Sequence, residues 1–98
     1  MTTENQIIDP AIKELMESAA TGEAAKLFLQ SELGRYVAGR AADDVEESIA
    51  KLIEADPSNA QLILKLQTEI NVAKQAIVYL TEAMTEGDNA MRQLHSEF

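Results

Sequence analysis

A chain of 98 residues with 46% hydrophobic content and no cysteine is expected to form one small domain, without disulfides, thiolate metal sites or a cysteine nucleophile. Aromatics make up only 4% and there is no Trp, so the core has to be built from aliphatic side chains and alanine. The formal charge of −9 opposes a direct grip on nucleic acid or on an anionic membrane surface, since both need clustered Lys and Arg.

The N-terminus Met-Thr-Thr-Glu-Asn lacks the basic start of a secretion signal, and no apolar run approaches the roughly 20 residues of a spanning helix. A soluble, intracellular protein is the expectation. Residues 1 to 8 are polar up to Ile7 and Ile8, which read as an apolar latch. Asp9-Pro10 marks a helix start, because an Asp N-cap accepts from the first free amides and Pro loses nothing at the first helical position. The short helix that follows, over 9–20, places Ile12, Leu15, Met16 and Ala19 on one side, and Thr21-Gly22 is expected to end it.

A long second helix is predicted over 23–55. In its lower half Ala38, Ala42, Val45, Ile49 and Leu52 repeat at steps of four and three, the pattern of a helix seam. In its upper half Leu27, Phe28, Leu29, Leu33, Tyr36 and Val37 spread apolar surface further around the helix than one neighbour covers. Gly34 and Gly39 lie inside this element, each at about 0.8–1.0 kcal/mol against Ala, so close backbone approach or a bend is expected there.

Asp56-Pro57-Ser58-Asn59 repeats the start signal with almost no room for a loop, and a third helix is predicted over 57–94 with a break near Gly87. Its stripe is the longest in the chain: Ile63, Leu66, Ile70, Ala73, Ile77, Leu80, Met84, Gly87, Met91 and Leu94. A heptad-like run of this length is built to lie along another helix. Folding back at Pro57 sets Leu52 against Ile63, Ile49 against Leu66, Val45 against Ile70, Ala42 against Ala73, Ala38 against Ile77 and Phe28 against Gly87. The expected fold is all-α: an antiparallel long helical hairpin plus a short N-terminal helix, in a single domain spanning 1–98.

A second, narrower stripe at Val72, Ala76, Tyr79 and Ala83, like the surplus around Leu29, Leu33 and Tyr36, finds no partner within a two-helix hairpin. Small domains are marginal unless they recruit more surface, so a homodimer that completes a helical bundle is predicted. Its expected interface residues are Leu29, Leu33, Arg35, Tyr36, Val37, Val72 and Tyr79. Arg35 falls on the inner stripe, where it either lays its methylenes on the core and reaches water or pairs with a carboxylate that fixes the oligomer register.

No catalytic, cofactor or metal site can be assembled. His95 is the sole histidine and no Glu lies three residues before it, as a di-iron bundle requires. No Ser-His-Asp set, glycine-rich phosphate loop or zinc spacing is present. The acidic run Asp43, Asp44, Glu46 and Glu47 has the spacing of a solvated helix face, with Arg40 and Lys51 beside it.

The segment Phe28-Leu29-Gln30-Ser31-Glu32-Leu33-Gly34-Arg35-Tyr36-Val37-Ala38-Gly39-Arg40-Ala41, with Leu66-Gln67-Thr68-Glu69-Ile70 and Tyr79-Leu80-Thr81-Glu82-Ala83-Met84, resembles small all-helical proteins encoded by phages and prophages. The likeness covers about the last three quarters of the chain; Ser-Glu-Leu-Gly-Arg-Tyr is its distinctive part, and Tyr79 stands where those proteins tend to have a tryptophan. It implies a phage or prophage origin, a place in the host cytoplasm or the virion, and no catalytic residue. The function expected is therefore that of a non-enzymatic, self-associating protein that meets a protein partner, in phage assembly or host takeover, with no direct nucleic-acid or membrane contact. The alternative is an acidic mimic that occupies the nucleic-acid groove of a host enzyme through Asp43, Asp44, Glu47 and Glu54.

Overall fold

The structure, a computed structural model, describes residues 9–97. They form three α-helices: α1 over Pro10–Gln30, α2 over Glu32–Glu54 and α3 over Ala60–Glu97. The all-α class follows directly. The proposed latch of Ile7 and Ile8 lies outside the described residues. The described residues group into two compact units, residues 9–27 with 80–97 and residues Phe28–Tyr79.

In the first unit Asp9 caps α1 as expected, its Oδ1 accepting from the Ala11 amide at 2.8 Å. The helix does not stop at Thr21-Gly22 but continues to Gln30. Gly22 serves packing here: a methyl on it would lie 2.8 Å from both the Gly87 Cα and the Ala83 carbonyl oxygen. Gly87 is likewise no break, since α3 runs through it unbroken, and a methyl there would lie 2.8 Å from the Gly22 Cα and 3.0 Å from the Ser18 carbonyl oxygen. Two helix backbones in contact leave no room for any side chain, which is why both positions are glycine. Gly87 thus faces Gly22. Ala25 and Ala90 are buried beside the crossing, while Met91, assigned to the stripe by spacing, is exposed. Lys26 Nζ donates to Asp88 Oδ1 at 2.7 Å. That hydrogen bond, reinforced by the aspartate's charge, holds the ammonium pKa above its ordinary value.

In the second unit the long helix expected over 23–55 is interrupted at Ser31. The Ser31 amide donates to the Phe28 carbonyl at 3.0 Å, and its Oγ caps α2 by accepting from the Gly34 amide at 2.9 Å. Side-chain capping of a helix N-terminus stabilises it by about 1 kcal/mol. The turn also requires Gly34, because a Cβ there would sit 1.6 Å from the Phe28 carbonyl oxygen. Gly39, expected to share that role, has open space around the same position and needs no close approach.

From Gly34 the inward positions of α2 step by seven through Ala41, Ser48 and Ala55, interleaved with Ala38, Val45 and Leu52, all buried or half-buried. Of the predicted stripe, Ala38, Val45 and Leu52 stay inward, while its second row is shifted by one residue, to Ala41 and Ser48: Ser48 is 8% exposed and Ile49 41%, and Ala42 is exposed. Arg35, another seven back from Ala42, is exposed as well. Along α3 the positions Ile63, Leu66, Ile70, Ala73 and Ile77 are buried or half-buried, with Leu66 at the centre. The residues 55–59 join α2 to α3. Asp56 organises this link rather than starting a helix at Pro57: its Oδ1 accepts from the Ser58 amide at 2.9 Å and the Ser58 hydroxyl at 2.8 Å. These bonds to the charged form lower the Asp56 pKa. Asn59 takes the capping position, accepting from the Leu62 amide at 3.2 Å.

Candidate functional site

The residues predicted to form an interface all belong to the second unit, and the structure leaves most of them exposed. Leu33, Tyr36, Val72 and Tyr79 are 64, 66, 69 and 62% exposed; Leu29 and Val37 are half-buried. Arg35 does not occupy an inner stripe and forms no ion pair among the described residues, because the one-residue shift of the second row of α2 turns it outward.

Two open grooves flank the line where α2 and α3 approach, and they share only Ala73. The first, of about 410 Å³, is lined by Ala38, Ala41, Ala42, Val45, Glu46 and Ile49 from α2 and by Ile70, Ala73, Lys74, Ile77 and Val78 from α3. Nine of these eleven residues are apolar, which gives the groove the chemistry of an unfilled helix contact. The second, of about 380 Å³, is lined by Asp44, Glu47, Ser48 and Lys51 facing Thr68, Glu69, Val72 and Ala73. It is polar and internally bonded: Ser48 Oγ donates to Glu69 Oε2 at 3.4 Å, and Lys51 meets Glu47 at 3.1 Å. Leu33, Tyr36, Val37 and Tyr79 line neither groove, so of the predicted set only Val72 belongs to one.

Tyr36, Arg40 and Asp44 follow one another at four-residue steps on α2. The tyrosine oxygen and then the carboxylate, 3.4 Å from Arg40 Nε, raise the guanidinium pKa above its usual value. Of the four carboxylates proposed as a phosphate mimic, Asp44 and Glu47 are thus each engaged by a cation one turn away. This is the pattern of a solvated helix face, where such pairs contribute about 0.2–0.5 kcal/mol.

The first unit carries an open depression of about 650 Å³ lined by Asp9, Ala11, Ile12, Glu14, Leu15, Ser18, Glu86 and Gln93. Among the described residues no three His, Cys, Asp or Glu side chains are grouped to hold a metal ion, and His95 is exposed. No helix of the described residues is long and apolar enough to cross a membrane.

The apolar groove was missed from sequence because Ala42 and Ile49 were assigned to the inner seam. The signal for it was the stretch Lys74 to Val78, whose Ile77-Val78 pair widens the α3 stripe. Comparison with family models, with curated proteins and with solved structures finds no match.

Proposed function

We propose that this chain is a non-enzymatic, self-associating helical protein that works by presenting a surface to a protein partner, in phage assembly or host takeover. In this reading α2 and the first part of α3 pair as an antiparallel hairpin, and a second copy completes a helical bundle. The hydrogen bond between Ser48 and Glu69, which stand on opposite sides of the 55–59 link, supports the pairing.

One observation carries the self-association. The buried hydrophobic residues are Ala25, Leu66 and Ala90 alone among the described residues, and no large side chain is fully buried. Burying apolar area yields roughly 25 cal/mol per Å², against about 1–2 kcal/mol of backbone entropy per residue ordered. A chain with so few buried apolar residues, and with large ones such as Ile49 and Val78 in water, gains too little from its own contacts, and association supplies the remainder. Sedimentation velocity on the full chain tests this: a species heavier than the monomer is expected at micromolar concentration. A well-folded monomer throughout that range would overturn the proposal.

A further inference from the structure

We infer that the apolar groove of the second unit is filled by the same groove of a second copy, with α2 of each copy lying on α3 of the other. This rests on the self-association proposed above and names its surface and arrangement. Four of the groove's lining residues are alanines, which admit the close interaxial approach of packed helices, about 8–10 Å. Its larger members, Val45, Ile49, Ile70 and Val78, supply the apolar area.

The two polar lining residues decide between possible occupants. Glu46 belongs to α2 and Lys74 to α3, both are exposed, and neither makes an ion pair or hydrogen bond among the described residues. Their charges cancel, so this surface is locally neutral although the chain carries −9. A neutral groove has no electrostatic preference for a basic helix, and a second acidic copy is not repelled from it.

The same pair selects the arrangement. A twofold contact places identical patches face to face. With α2 on the partner's α2, Glu46 would approach Glu46 and Lys74 would approach Lys74, two like-charge contacts. With α2 on the partner's α3, each Glu46 approaches a Lys74, two opposite-charge contacts. Unfavourable like-charge pairings of this kind exclude the wrong geometry as effectively as attraction favours the right one.

The test is charge reversal read by sedimentation equilibrium, with helicity checked by circular dichroism. Glu46→Lys and Lys74→Glu should each raise the dimer dissociation constant about tenfold or more, since each replaces two attractive pairs by two repulsive ones. Mixing the two single variants, or combining both changes in one chain, should restore association. Glu46→Lys is the sharper arm, because it lowers the overall negative charge and would strengthen association if general repulsion governed it. Tyr36→Glu and Tyr79→Glu should leave the dimer intact. A dimer indifferent to the reversals, or one broken by the tyrosine variants instead, would overturn the groove assignment while leaving self-association standing. A monomeric parent chain would overturn both.

Discussion

In residues 9–27 and 80–97 the helices meet through Gly22, Gly87, Ala25 and Ala90, whereas in Phe28–Tyr79 the inward positions include Val45, Leu52, Leu66 and Ile70. The first set lets two backbones touch and leaves nothing between them to fill. The second puts larger side chains at the contact, and the residues one step off the seam, such as Ile49 and Val72, remain in water and line grooves. Side-chain size at the contact, more than total hydrophobicity, decides whether a helix seam is closed, as at the glycine crossing of the first unit, which carries an open depression elsewhere, or flanked by grooves, as in the second. In the second unit the turn between Phe28 and Gly34 is tight.

That turn gives the largest expected effect. Gly34→Ala puts a methyl where the Phe28 carbonyl oxygen lies, 1.6 Å away, and should cost about 3 kcal/mol or more in denaturant unfolding, at the upper end of overpacking. Stability within about 0.5 kcal/mol of the parent would remove the turn as described. Next comes the glycine crossing: Gly87→Ala should lose about 1–2 kcal/mol, because overpacking against backbone at 2.8 Å exceeds the helix-propensity gain of about 0.8–1.0 kcal/mol. Gly39→Ala inverts the sign. With nothing within 4 Å of the added carbon, the propensity gain of about 0.8–1.0 kcal/mol should appear almost whole, measured as a higher denaturation midpoint.

The smallest effects are electrostatic. Asp88→Asn should weaken the first unit slightly, less so at high salt, since the Lys26 pair is only partly shielded. Because folding raises the Lys26 pKa, this contribution is complete below the ordinary lysine value of about 10.4 and is lost as pH rises through the folded value. Asp56 behaves oppositely. Its pKa is lowered on folding, so its contribution is complete above about pH 3.9 and disappears as pH falls through the folded value. Unfolding midpoints measured across pH in the parent and in Asp56→Asn should converge in acid and separate above it.

The α3 stripe was legible from Ile63 to Gly87 because a helix of 38 residues repeats its pattern many times; beyond Gly87 the buried residue is Ala90 rather than Met91. The α2 seam was ambiguous by one position. Hydrophobicity favours Ile49 over Ser48 as the inward residue, but Gly34 must face the Phe28 carbonyl, and stepping by seven from it selects Ala41 and Ser48. Arg35, Ala42 and Ile49 are the matching series one residue later, so a single shift of that row accounts for all three misplacements. The exposure of Leu33, Tyr36, Val72 and Tyr79 was readable because the seam was already full without them. The glycine crossing was written in the chain as matching triplets, Ser18, Gly22, Ala25 and Ala83, Gly87, Ala90, each at steps of four and three. It went unread because glycine signals both a helix end and a close contact, and local propensity cannot tell these apart.

The joint at Ser31 also governs where the polypeptide can be cut. A protease must thread several extended residues through its cleft, and this corner offers one, with its amide tied to Phe28 and its hydroxyl to the start of α2. The link at 55–59 offers five consecutive non-helical residues, exposed apart from Ala55. Limited digestion should therefore nick the chain after α2 and spare the corner before it, leaving α1 and α2 covalently joined as one fragment.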